Sequence, residues 1–304
     1  MKRLFSACLM VAAFFAASPP VYAKALNVVT TMSSFADLAK IIGGAHVNVS
    51  YVASPKFNPH FIEPKPSDVL RVKRAELFIH AGLDLEAWRG PLLDAAGNRP
   101  VMPGGDRELD LSRGIALLEV PTSPVSRSQG DIHLYGNPHY WVDPENGQAI
   151  AVRIAEKLSA LDPANAADYQ NNLQAFTQKL DAKMAQWRKS LAAVSGRELI
   201  GYHNEWPYLL QFAGLKMEQF LEPRPGIPPT PRQVEFITQY IQSKGIKALV
   251  ISSYFPRDSA DVIAKRTGVH VVELVQNVGE VPQAGDYIAM TEYNISQLVA
   301  ALKD

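Results

Sequence analysis

His60, His139 and His203 lie far apart in the chain, yet each follows a predicted strand or sits in a turn-rich segment beside one. The local strings are Asn58-Pro59-His60, Asn137-Pro138-His139 and Tyr202-His203. Neutral imidazole is the commonest protein ligand for zinc, and three converging nitrogens favour zinc, copper or nickel over magnesium or calcium. Proline ahead of two of the three restricts the preceding residue and stiffens the loop, which lowers the ordering cost of capture. A histidine taken alone is more often a surface or satisfied core residue. His46 and His270 flank glycine-marked strand starts and read as solvated, whereas His80 ends a strand from which it could reach a cleft. His133, six residues before His139, reads as a group supporting the ligands, as a lid, or as plain loop surface.

The elements that would position these residues follow an α/β pattern. Short β-branched runs at 26–30, 47–53, 77–81 and 115–120 alternate with amphipathic stretches at 34–42, 66–75 and 85–95. A second series places strands at 199–202, 217–221, 248–252 and 269–274, with helices at 205–212, 231–243, 258–267 and 287–302. Such alternation builds parallel sheets. Between the series lies a helical stretch at 144–161 and 165–194, broken at Asp162-Pro163. Its apolar Leu173, Phe176, Leu180, Met184 and Trp187 recur every three or four residues. That spacing marks one buried stripe on a stiff helix. The expected fold is two α/β lobes with parallel sheets joined by one long rigid helix, with a metal cleft between the lobes. Their boundaries fall at 24–162, 163–195 for the linking helix and 196–304, after a leader at 1–23. Ligands of open α/β sheets bind beyond the carboxyl ends of strands, which puts His60 and His203 on facing walls of that cleft.

The leader is Lys2-Arg3, an apolar run and the small-residue pattern Val21-Tyr22-Ala23, the form of a cleaved secretory signal peptide. The only cysteine, Cys8, falls inside it, so the mature chain has neither disulfides nor thiolate ligands. Removing Lys2 and Arg3 from 30 basic residues leaves 28 against 30 acidic ones, a balance that argues against nucleic acid or an anionic membrane surface as partner. No later stretch reaches the roughly 20 apolar residues a membrane helix needs. The expected product is a periplasmic monomer without stable membrane insertion.

Three ordered motifs carry a resemblance. They are Asn58-Pro59-His60 with Pro64-Lys65-Pro66-Ser67-Asp68 downstream, then Pro138-His139-Tyr140-Trp141-Val142-Asp143-Pro144, then Gly201-Tyr202-His203 before an aromatic helix. Together they resemble the periplasmic solute-binding proteins of zinc and manganese ABC importers, the cluster A-I (cluster 9) family. The resemblance implies that His60, His139 and His203 are the histidine ligands, that the protein is not an enzyme, and that it delivers one metal ion to a membrane permease. The family often adds an aspartate after the last strand, but here that stretch reads Leu274-Val275-Gln276-Asn277-Val278-Gly279. Glu222, Glu280, Asp286, Glu205 or water is left as the fourth ligand, each of these carboxylates being by itself an ordinary surface group more often than a ligand. A nitrogen-rich set suits Zn2+ better than Mn2+, which favours oxygen ligands.

Two other readings compete. Three histidines with an open position also describe a zinc-dependent hydrolase, but the chain has no His-Glu-x-x-His pair and no glycine-flanked serine nucleophile. A structural metal module or metal-dependent adhesin would close its site within one lobe, whereas these ligands come from two.

Overall fold

Parallel strands covered on both faces read as unbroken apolar runs, and the central strands of this chain do so. The computed structural model describes residues 24–123, 125, 133–224 and 226–303, so the expected leader at 1–23 lies outside the described residues. In the first half β1 (Leu26–Thr30), β2 (Val47–Tyr51), β3 (Leu77–His80) and β4 (Glu108–Asp110) form a parallel sheet in the order β2-β1-β3-β4. Helices α1 (Ser33–Gly43), α2 (Pro66–Lys73) and α3 (Arg89–Ala96) connect them. In the second half β5 (Glu198–Gly201), β6 (Lys216–Phe220), β7 (Ala248–Ser252) and β8 (His270–Leu274) repeat the arrangement as β6-β5-β7-β8. Every residue of β3 and β7 is buried.

One expected strand is elsewhere. Residues 115–120 join no ladder, and the fourth strand of the first sheet is Glu108–Asp110, paired with β3 from Phe78 to His80. This three-residue edge strand carries two carboxylates, Glu108 and Asp110, and so gives no apolar alternation to detect.

Helix α4 (Pro144–Leu161) begins cleanly because Asp143 accepts the Glu145 amide hydrogen and Pro144 takes the first helical position. Helix α5 (Ala166–Leu191) has 26 residues, about 39 Å at ~1.5 Å per residue. It buries Tyr169, Phe176, Leu180, Met184, Trp187 and Leu191. The stripe packs against α1 and α4 on one side and against α9 (Tyr287–Leu302) on the other. One apolar cluster consequently runs from Val28 and Phe35 through Trp141 and Leu180 to Val250 and Leu298. The remaining helices, α6 (Pro207–Ala213), α7 (Pro231–Lys244) and α8 (Asp258–Thr267), cover the second sheet. Among the described residues no helix is long and apolar enough to cross a membrane.

Gly147 shows how closely the halves approach. A Cβ at this position would stand 2.1 Å from the Tyr287 hydroxyl oxygen, so glycine is what leaves room for the Tyr287 ring beside α4. The same hydroxyl donates to the Trp141 carbonyl oxygen at 2.6 Å.

Candidate metal centre

The segment 137–144 works residue by residue. Asn137 uses its side-chain oxygen to accept both the backbone N–H of His139, at 3.0 Å, and its ring Nδ1–H, at 2.9 Å. His139 then opens a single 3-10 turn, Tyr140–Val142. Tyr140 donates its hydroxyl to the Ala81 carbonyl at the end of β3 at 2.7 Å, while Trp141 donates its indole N–H to the Gln276 carbonyl just past β8 at 2.8 Å. Successive side chains thus pin His139 to the strand ends of both sheets.

His60 repeats the device, since its backbone N–H donates to Asn58 Oδ1 at 3.0 Å. It sits in the loop between β2 and α2, and the adjoining Pro59 carbonyl accepts the Trp88 indole at 2.8 Å. His203 follows β5, a central strand of the second sheet, where the strand order reverses and loops diverge. Its Nδ1 pairs with Glu222 Oε2 at 2.7 Å.

These three rings meet. Nε2 of His60 and Nε2 of His139 are 3.1 Å apart, and one ligand nitrogen from each of His60, His139 and His203 lies within 4.8 Å of the others. Two imidazoles on one tetrahedral zinc, at Zn–N of about 2.0–2.1 Å, hold their nitrogens roughly 3.3 Å and their ring centres roughly 5 Å apart. The ring centres here are 5.2 Å apart for His60 and His139, 5.9 Å for His60 and His203, and 6.0 Å for His139 and His203. All three residues are buried. With Nδ1–H of His139 given to Asn137 and Nδ1–H of His203 given to Glu222, each leaves an unprotonated Nε2. Burial holds the His139 imidazolium well below the usual histidine range, and the neighbouring His60, His133 and His203 push it further down. The arrangement is a preformed nitrogen donor set. A cavity of about 210 Å³ opens beside it, lined by residues that include His60, His203, Glu222 and Phe255.

The expected fourth-ligand carboxylates are all engaged elsewhere. Glu222 orients His203 and also accepts the Gly226 N–H at 3.2 Å. Glu205, fully buried, accepts from the hydroxyls of Ser252 and Tyr254, and desolvation raises its pKa. Glu280 accepts from Ser253 at 2.7 Å and from the Gln276 and Asn277 amides, and burial pushes it up to about 7. Asp286 caps α9 through the Ala289 N–H at 2.8 Å. No carboxylate among the described residues joins the histidine cluster.

His80, placed near the cleft by its strand, is instead buried in the first sheet with Glu108 at 2.8 Å. His46, expected to be solvated, is partly covered and pairs with Asp168 at 2.8 Å. His270 is exposed. Sequence reasoning missed Asn58, Asn137 and Glu119. The repeated Asn-Pro-His string was the available signal, because an asparagine two residues ahead can clamp the backbone of its histidine in an Asx turn. Glu119 had none. It takes a left-handed φ of 55° and accepts from Asn137 Nδ2 and Asn204 Nδ2, tying the His139 segment to the His203 segment.

A family model described as "Zinc-uptake complex component A periplasmic" (ZnuA) matches residues 28–301. The metal ABC transporter substrate-binding lipoprotein SloC of Streptococcus mutans is 26% identical over 99% of this chain and 98% of its own. A solved ZnuA deletion mutant with zinc bound superposes with a TM-score of 0.78 at 23% identity, covering 92% of this chain and 99% of that one. The substrate-binding protein FpvC of Pseudomonas aeruginosa in complex with Mn2+ gives the same TM-score, 0.78, identity, 23%, and coverage, 92% and 99%. At these identities the two structures establish the fold alone.

Proposed function

The chain belongs to the family of periplasmic zinc-uptake complex component A proteins, and from that premise we propose that it captures zinc through His60, His139 and His203 and hands it to an ABC permease. The coarser part needs no proposal. It is a metal-binding substrate protein of an ABC importer, acting outside the cytoplasm, in a family of binding proteins rather than enzymes. That sets the hydrolase reading aside.

One observation carries the choice of ligands: the 3.1 Å approach of two Nε2 atoms with a third imidazole nitrogen in coordinating range. Asn137 and Glu222 each hold one ring nitrogen, of His139 and of His203, and so set the direction in which those rings point. The donor chemistry favours zinc, since nitrogen ligands without a coordinating carboxylate suit a tetrahedral borderline ion better than manganese. Residues 24–162 and 196–304 then act as the two walls of the site, with 163–195 as the stiff element behind it. The leader at 1–23 directs export and is removed, leaving a periplasmic monomer.

Metal analysis of protein isolated from the periplasm, followed by competitive titration with zinc and manganese, tests this. One zinc per chain, held against excess manganese, is expected. A chain that holds neither metal stoichiometrically, or that prefers manganese, overturns it.

A further inference from the structure

His133 stands beside the cluster, on a segment that the family reading does not use, with its ring against His60 and His139 but outside the set whose ligand nitrogens lie within 4.8 Å of one another. Its ring centre lies 5.0 Å from that of His60 and 5.9 Å from that of His139, the same range as the three pairs already described. Its side chain is 11% exposed. Nδ1 is 2.9 Å from Asp84 Oδ1, while Nε2 is shielded from solvent and bonds to no protein group. A buried imidazole nitrogen without a partner costs on the order of 1–3 kcal/mol, so a fold that maintains one beside the rings of His60 and His139 gains something from it.

The support for this ring is itself built. Asp84 accepts His133 Nδ1–H with one oxygen and the Leu134 backbone N–H with the other, at 3.0 Å. It is delivered by consecutive left-handed residues, Gly82 at φ 70° and Leu83 at φ 52°. A branched residue such as leucine is strained there, and backbone strain of this kind persists where surrounding structure holds it for a purpose. The carboxylate–imidazole pair places the ring proton on Nδ1 and raises the basicity of Nε2, which is how ligating histidines are commonly oriented.

We infer that His133 is a fourth nitrogen ligand of the same ion, positioned by Asp84, so that the centre holds its metal with four imidazoles. This rests on the three-histidine reading and extends it. Four nitrogens close a tetrahedral shell without a carboxylate or water and widen the preference for zinc over manganese.

X-ray absorption of the zinc-loaded full chain counts the imidazoles directly, and competitive titration with zinc and with manganese reads their effect. The wild type is expected to show four imidazoles, and His133→Ala three with an added oxygen. Asp84→Asn should weaken zinc binding by roughly 10- to 100-fold, and His133→Ala by at least as much, with a smaller loss for manganese. Exogenous imidazole should restore zinc affinity to His133→Ala, which a change in loop packing alone would not allow. Three imidazoles in the wild type, or unaltered zinc affinity in His133→Ala, overturns the inference while leaving the three-histidine site intact. Absence of zinc binding in the wild type would instead remove the reading on which it stands.

Discussion

Asn137 grips His139 twice, its Oδ1 accepting both the backbone N–H and the ring Nδ1–H of that residue. The same amide donates through Nδ2 to Glu119 and to the Asn204 carbonyl, each at 2.9 Å. One side chain therefore sets both the direction of the His139 ring and its register against the segment carrying His203. Asn137→Ala should lower zinc affinity by about 10- to 100-fold, the range for groups that orient metal-bound histidines. Competition with a chelator of known affinity measures it, and an affinity within twofold of wild type would show that the clamp is dispensable.

Removing the ring tests the ligand itself. His139→Ala should abolish tight zinc binding yet keep the far-ultraviolet circular dichroism of the wild type, because the ring's side-chain bonds are to Asn137 and to its neighbour in the cluster. Equal zinc affinity in the variant would exclude His139 from the site.

Glu222→Gln retains an acceptor for His203 Nδ1–H but removes the charge. The 2.7 Å contact is between buried groups, and an ionised acceptor forms a stronger bond that raises ring basicity. We expect zinc affinity to fall by about tenfold, toward the lower end of the range for orienting groups, with Glu222→Ala falling further. Isothermal titration of both variants decides, and an equal loss in the two would mean that charge contributes nothing.

Acid should act on the site with a definite sign. Burial keeps His139 neutral in the folded protein well below the histidine range, whereas the unfolded imidazole protonates near its ordinary value of about 6.5. The unfolded state thus binds the extra proton first, and the metal-free protein loses stability as pH falls below about 6.5. Zinc binds only unprotonated imidazole, so its affinity should also weaken below that pH. Urea unfolding and zinc titration at pH 7.5 and 5.5 check both effects, and His139→Ala should flatten the stability difference.

The long helix offers a test independent of metal. Leu180 is fully buried in the stripe that α5 turns toward both halves. Leu180→Ala should cost about 2–5 kcal/mol, seen as a lower urea midpoint with unaltered zinc stoichiometry. A loss under ~1 kcal/mol would mean that the two sheets hold together without this seam.

The amino-acid sequence alone determined the alternating element order, the stripe on α5, and the three histidines expected to face one ion. Those properties are written locally, in apolar period, in capping residues such as Asp143 and Pro144, and in the repeated Asn-Pro-His string. Tertiary structure decided what each polar group touches. Glu222 turned out to orient His203, Glu205 and Glu280 were claimed by hydroxyls and loop amides, and Asp286 by a helix end. The fourth strand fell at Glu108–Asp110 because a short charged edge needs only a ladder partner, which no local pattern announces. His133 met Asp84 across 49 residues through a left-handed backbone at Gly82 and Leu83. Periodicity reports which way a side chain faces within its own element. Pairing between loops depends instead on backbone angles and on the competition among all nearby donors, and that competition is settled only when the chain has folded.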